Sequence, residues 1–361
     1  MSESQTYEEF GFANLIDLAS AAFGGEALWA SDEFFAGREN LLKVGAADFF
    51  PHEYTDRGKW MDGWESARTR RHATYADRDE CIIRLGVLGR IRVINIDTHF
   101  FLGNHPPYAR VEGVTMPRDA SVDTLKNADW RPILAEVPLR PGAHNLFAIE
   151  NSEVWTHLRL TMIPDGGVAR FRAFGDVDVA ANRELQEVDA DTALLIKSGT
   201  SGWIDFAALR NGGRAIACSD MFFGRMESLL LPGRAGDMGS GWETKRRRNA
   251  GVGAHDWVVI ALGALCDVGL IEIDTNHFRG NAPDSCTIEA ARAEQIAPSE
   301  LIQSRELWKT IVDDAPIMAH TRHWFSSAAG TLTPSGPASH IRLKVFPDGG
   351  VSRMRVWGSI C

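Results

Sequence analysis

The 361-residue chain contains one nine-residue stretch twice. Ile96-Asp97-Thr98-His99-Phe100-Phe101-Leu102-Gly103-Asn104 returns 177 positions later as Ile273-Asp274-Thr275-Asn276-His277-Phe278-Arg279-Gly280-Asn281. Each copy follows a β-branched apolar run and ends in Gly-Asn, the pattern of a strand that stops at an Asp and turns sharply. The match extends outward. At an offset of 188, nine of the 19 positions from Asp17 to Phe35 are identical to their partners between Asp205 and Phe223, where average residue usage would give about one. Trp64-Glu65 matches Trp242-Glu243 at 178, and Pro164-Asp165-Gly166-Gly167 matches Pro347-Asp348-Gly349-Gly350 at 183. Offsets that drift between matched blocks are what a tandem duplication leaves when elements persist and loops change length. Any function therefore belongs to one copy, or to the differences between the two.

Within each copy the apolar runs are short and β-branched. Cys81 to Leu85 and Ile91 to Asp97 have counterparts in Val258 to Leu262 and Gly269 to Asp274. His157 to Ile163 alternates polar and apolar residues, turns at Pro-Asp-Gly-Gly and resumes from Ala169 to Phe174; Ile341 to Phe346, the same turn and Arg353 to Trp357 repeat it. That is a hairpin signature. Many such strands in a unit of about 160 residues predict an all-β fold, a tandem duplication of a jelly-roll-like β-sandwich. The expected divisions are a lead-in (1–13), a first repeat (14–175), a linker (176–197) with a short helix from Asn182 to Val188, and a second repeat (198–361).

A formal charge of -10 argues against a nucleic-acid partner, which needs a broad basic field. The longest apolar run, Val258 to Cys266, is far short of the ~20 residues that span a bilayer, and Met1 to Phe10 lacks the apolar centre of a signal peptide. No membrane association is expected. Five scattered cysteines without a C-x-x-C pair read as free thiols in a reducing cytoplasm.

The candidate chemistry lies in the repeated motifs. A strand-end Asp can cap the turn after it, which accounts for Asp97 and Asp274 by folding alone; it can also act as a base or substrate clamp. Each is followed fifteen residues later by a Glu, Glu112 and Glu289, on an expected neighbouring strand, and a facing Asp/Glu pair could move protons or hold a divalent cation. The Trp-Glu pairs lead into cations: Arg68, Arg70 and Arg71 in the first copy, Lys245, Arg246, Arg247 and Arg248 in the second. Guanidinium forks bind carboxylates bidentately. His255 and His277 have no histidine at the aligned first-copy positions, and Phe100 stands opposite His277. Where a shared motif changes chemical type, the change is informative: imidazole can transfer a proton and phenyl cannot. The expectation is an acid–base step at His277 with Asp274 orienting it. No nucleophile-elbow, phosphate-loop or dinucleotide fingerprint occurs.

Ser31-Asp32-Glu33-Phe34-Phe35, Glu39-Asn40-Leu41-Leu42, Met61-Asp62-Gly63-Trp64-Glu65 and Asp97 through Asn104, with Gly241-Trp242-Glu243-Thr244, His255-Asp256-Trp257 and Ile273 through Pro283 in the second copy, together resemble the allantoicase family over nearly the whole chain. The sequence departs from that pattern at Asp77-Arg78-Asp79-Glu80, where the family has a Gly-His-Asp-Trp-like stretch. The resemblance implies two jelly-roll repeats, hydrolysis of allantoate to ureidoglycolate and urea, a small anionic substrate and a homo-oligomer. Within it, His277, Asp274 and Glu289 are the expected catalytic residues. Arg246, Arg248, Trp242 and Asn281, with Arg68, Asp97 and Asn104, are the expected substrate-binding ones. Breaking the C–N bond calls for an acid to protonate departing urea and a base or metal to activate water, so a divalent ion such as Mn²⁺ is admitted, its ligands unassigned. The competing class is a non-enzymatic tandem jelly-roll ligand-binding protein.

Overall fold

The computed structural model describes residues 15–68, 78–150, 152–182, 188–197, 202–248 and 251–361. The lead-in, Arg70 and Arg71 lie outside the described residues, as does most of the helix expected between Asn182 and Val188. The chain divides into two units, Met1–Ala181 and Asn182–Cys361. Each is all-β in its main body and built as a sandwich, as the duplication requires.

In the first unit one antiparallel sheet runs in the order Ile16–Asp17, Arg170–Val177, Gly89–Asp97, His144–Ala148. The other runs Glu26–Ala30, Asp79–Arg84, His157–Ile163, Tyr108–Val114, Arg131–Pro138. Alternation decides which side chains meet between them. Ile91, Ile94 and Ile96 join Ile83, Val111, Leu158, Leu160 and Phe171 in the buried core, while Asn95 and Asp97 point to the opposite face. The second unit follows the same plan with one change. Asp256–Asp274 is a single strand of 19 residues; its first part pairs with Arg214–Cys218 and Ala338–Phe346, its last part with Arg322–Ser326 and Arg353–Ile360. One continuous strand thus serves both layers, where the first unit uses two, Asp79–Arg84 and Gly89–Asp97. The linker helix lies at Ala190–Lys197, because Asp189 accepts the N–H groups of Asp191 and Thr192 and so caps it.

The Pro-Asp-Gly-Gly turn recurs because it packs on the Gly-Asn turn of its own repeat. Gly167 N–H donates to Asn104 O at 2.8 Å, and Gly350 N–H to Asn281 O at 2.8 Å. A Cβ on Gly350 would lie 2.0 Å from the Phe278 ring. Gly350→Ala is therefore expected to destabilise the protein by about 1–3 kcal/mol, read as a lower midpoint in urea unfolding; an unchanged midpoint would remove this account of the turn.

Candidate functional site

The repeated Asp builds the same turn in both units. Asp97 Oδ1 accepts the N–H of His99 at 2.9 Å, and Asp274 Oδ1 accepts that of Asn276 at 2.9 Å. The next hydroxyls, Thr98 and Thr275, donate to the carbonyls of Arg140 and Met318 at 2.6 and 2.7 Å. Phe100 and His277 both sit at φ 70°, a left-handed geometry uncommon for non-glycine residues. The shared letters are thus accounted for by folding.

The Trp-Glu and Gly-Asn motifs converge. Strand Trp64–Glu65 pairs with Gly167–Val168, which aims Glu65 at the Gly-Asn turn. Glu65 Oε1 accepts from Asn104 Nδ2 at 2.7 Å, and Glu243 Oε1 accepts from Asn281 Nδ2 at 2.6 Å. Trp64 and Trp242 are fully buried and donate their indole N–H to Asp32 O and Asp220 O. Trp242 is therefore scaffold: the indole is enclosed and cannot face a substrate. Around the first pair opens a cavity of about 1050 Å³ whose polar wall is Glu65, Arg68, Asn104, His105, Asp165 and Lys59. Burial pushes the Glu65 carboxyl above its ordinary range, against the Asn104 hydrogen bond and the charge of Arg68. Burial also pulls the His105 imidazole below its usual value, and its Nδ1 is buried with no hydrogen-bond partner among the described residues. The second copy has Ala282 at that position.

A second cluster lies on the outer face of the first unit's smaller sheet. His144 is the register partner of Asp97 across the antiparallel pair, which places their side chains together. His99 Nδ1 lies 2.6 Å from Asp97 Oδ1, and His144 Nδ1 lies 3.5 Å from Asp97 Oδ2. Asp97 is buried, while both imidazoles reach solvent. The corresponding residues of the second unit are Asp274, Asn276 and Arg322. There the cations are arginines, each paired with a carboxylate. Arg234 clamps Asp274 at 3.1 and 3.3 Å, and Arg322 holds Glu272 at 2.7 Å and Asp189 at 2.9 Å. These groups line a cavity of about 310 Å³.

Several expected contacts are not made. Asp274 does not orient His277, because the guanidinium of Arg234 takes its carboxylate. His277 Nε2 lies 3.0 Å from Ala235 O instead. Glu289 sits between Arg342 and Lys344, at 2.5 and 2.8 Å, and Glu112 is held by Arg159 at 2.7 Å. Neither Glu faces its Asp, since the chain crosses to the other layer after the Gly-Asn turn. Arg246 and Arg248 are exposed, whereas Arg247 donates to Asp256 at 2.6 Å and Lys245 lies 3.5 Å from Asp220. Burial raises the Asp256 carboxyl, but the bonds from Arg247 and Ser219 outweigh it and hold it below the ordinary value. Arg68, Asn104 and Asn281 do lie with the Glu–Asn pairs or their cavity; Asp97 lies in the histidine cluster. His99, His105 and His144 are site residues that the motifs by themselves do not single out. Alignment of the copies carried a signal for two of them, with Asn276 opposite His99 and Ala282 opposite His105.

The allantoicase-repeat family model matches residues 16–178 and 204–361. A probable allantoicase from Photobacterium profundum is 40% identical over 347 residues, covering 96% of this chain and 97% of its own. One from Pseudomonas aeruginosa is 41% identical over 351 residues, with 97% and 98% covered. A crystal structure of allantoicase from Saccharomyces cerevisiae superposes with a TM-score of 0.69 at 33% identity, covering 98% of this chain and 97% of that one.

Proposed function

Because the chain belongs to the allantoicase family, we propose that it hydrolyses allantoate to ureidoglycolate and urea. The observation that carries the assignment of a site is the cavity of the first repeat, where the duplicated Glu65–Asn104 pair opens beside Arg68, Lys59 and His105. Allantoate has one carboxylate and two ureido groups on a single carbon. Arg68 and Lys59 supply cations for the carboxylate, and Asn104 and Glu65 supply amide-complementary groups for a ureido arm. In the reaction one C–N bond breaks and a C–O bond forms: water gives its oxygen to the carbon, and a proton leaves with urea. Glu65, favoured in its protonated form by burial, is placed to give that proton, and His105, kept neutral by burial, to take one from water. In the second repeat the Glu243–Asn281 pair recurs without the histidine.

The non-enzymatic binding-module reading is not favoured, since the family match runs through both repeats. No helix among the described residues is long and apolar enough to cross a membrane, and the five cysteines are free thiols; both support placing the reaction in the cytoplasm, in a homo-oligomer as part of the same proposal. Purified, folded protein is expected to release urea from allantoate, measured by a coupled ammonia assay. If it released none, with or without added Mn²⁺, the binding-module reading would replace this one.

A further inference from the structure

We propose that Asp97, His99 and His144 of the first repeat form a binding site for a divalent first-row transition ion. The three residues can each turn one ligand atom toward a common point, with all three atoms within 4.8 Å of one another. Donors about 2.0–2.2 Å from one ion lie roughly 3.0–3.5 Å apart, so the 2.6 Å His99–Asp97 contact would open while wider pairs close. Two imidazole nitrogens and one carboxylate oxygen are a donor set that suits Mn²⁺, Fe²⁺, Co²⁺ or Zn²⁺ better than the all-oxygen preference of Ca²⁺ and Mg²⁺.

The duplication provides the control that a lone cluster lacks. The second repeat folds the same strand end and the same Asx turn around Asp274, so packing alone does not demand histidines there. It meets the buried carboxylate with Arg234 and surrounds it with Asn276 and Arg322. The first repeat has Ala46 at the position of Arg234, as the shared contacts of the preceding glycines show: Arg172 donates to Gly45 O, and Arg355 to Gly233 O. It has His99 for Asn276 and His144 for Arg322. Two permanent cations are thus replaced by an alanine and a lone-pair donor around the equally buried Asp97. A bound cation answers the loss of Arg234 from the buried carboxylate, while the loss of Arg322 is matched by the loss of its partner Glu272. The side chain of Asn95, 3.1 Å from His144 Nδ1, could turn its amide oxygen toward the ion as a fourth donor; the second repeat has Glu272 there, held by Arg322.

The site has an evident use. Its turn runs directly into Phe100, Leu102, Gly103 and Asn104, all of which line the first-repeat cavity, and the Phe100 ring lies 6.2 Å from that of His99. Fixing residues 97–99 to an ion fixes the wall that presents Asn104. Both imidazoles reach solvent, so further coordination positions are open to water. The inference does not depend on the identity of the substrate.

The test uses the full chain, stripped with a chelator and titrated with Co²⁺, whose visible absorption reports nitrogen ligation. The expected result is one ion per chain. His99→Ala and His144→Ala are each expected to weaken binding by more than ~100-fold, the upper end of what loss of an outer-shell partner costs. His277→Ala should bind as the wild type does. The double variant His99→Asn/His144→Arg, which installs residues the second repeat already accommodates, guards against misfolding and should bind no ion. Absence of a bound ion in the wild type, or an unchanged spectrum and stoichiometry in the folded double variant, would overturn the proposal. Ion binding without urea release would leave this site standing and remove the allantoate reading. Urea release by chelator-stripped protein that binds no added Co²⁺ would do the reverse.

Discussion

Glu65→Gln is expected to lower kcat for urea release by about 10²–10⁴-fold, the scale of a general acid–base group, with KM changed only a few-fold and the fold intact. Glutamine keeps the oxygen that accepts from Asn104 Nδ2 at 2.7 Å, so the pair that shapes the cavity survives and only the transferable proton is lost. Burial raises the Glu65 carboxyl above the ordinary glutamate value of 4.5, more than Asn104 and Arg68 lower it. The protonated form therefore persists above that value, and kcat should fall as pH rises through the elevated pKa. In Glu65→Gln that limb should vanish. Glu243→Gln makes the same change at the same hydrogen bond in the other repeat, where no histidine stands opposite His105. It should leave turnover close to wild type. Equal losses in the two variants would place the chemistry in neither repeat alone, and full turnover in Glu65→Gln would end the acid assignment.

The fold was legible because its signals are local and doubled. Alternation from His157 to Ile163 and the Pro-Asp-Gly-Gly turn mark a strand, a turn and a second strand, and each occurs twice. The expected hairpin does not form: His157–Ile163 pairs with Asp79–Arg84 and Tyr108–Val114 in one sheet, Arg170–Val177 with Gly89–Asp97 in the other, so the turn crosses between layers. The shared Asp, Thr, Gly and Asn of the central motif were also legible as turn chemistry, and they do serve the turn. What the sequence could not show was the partner of each charged group across the fold. Asp274 meets Arg234, forty residues earlier, and that contact is invisible to spacing. His144 reaches Asp97 only through strand register over a long connection. The facing Asp/Glu pairs failed for a related reason: a fifteen-residue interval says nothing about which layer the next strand enters. The copies do differ in their titratable groups, but the difference between Phe100 and His277 is not the informative one. Both residues occupy the same left-handed position. The titratable groups gained by the first copy lie one residue before that position, at His99, and five residues beyond it, at His105.

Arg170→Met is expected to cost about 3–5 kcal/mol of stability, because it leaves a buried carboxylate without its main cation. Arg170 and Asp62 are 3% and 4% exposed at the side chain and meet at 2.5 Å. The same guanidinium also donates to the carbonyls of Asp62, Ala169 and Ala46, so it ties the loop after Leu42 to the sheet beneath. Among the described residues, the equivalent Arg353 donates to carbonyls alone, those of Ser228, Gly233, Ser240 and Ser352. In Arg353→Met the neighbouring Asp274 keeps Arg234 as its cation, so the cost should be smaller. The pH dependence separates the two. Burial raises the Asp62 carboxyl, but the bond from Arg170, then the N–H of Asp48 and Lys43, hold it below its ordinary value of 3.8. A depressed folded pKa contributes stability that is fully present above the unfolded value and is lost as pH falls through the folded one. In Arg170→Met the carboxyl keeps Lys43 alone as a cation, and its pKa should rise. The gap between wild type and Arg170→Met should therefore be widest near neutrality, narrow as pH falls through the variant's higher value, and close only below the depressed wild-type one, where Asp62 is neutral in both. Urea unfolding at several pH values reads this directly. A deficit that stayed constant with pH would mean that the lost carbonyl contacts, and not the stranded charge, account for the damage.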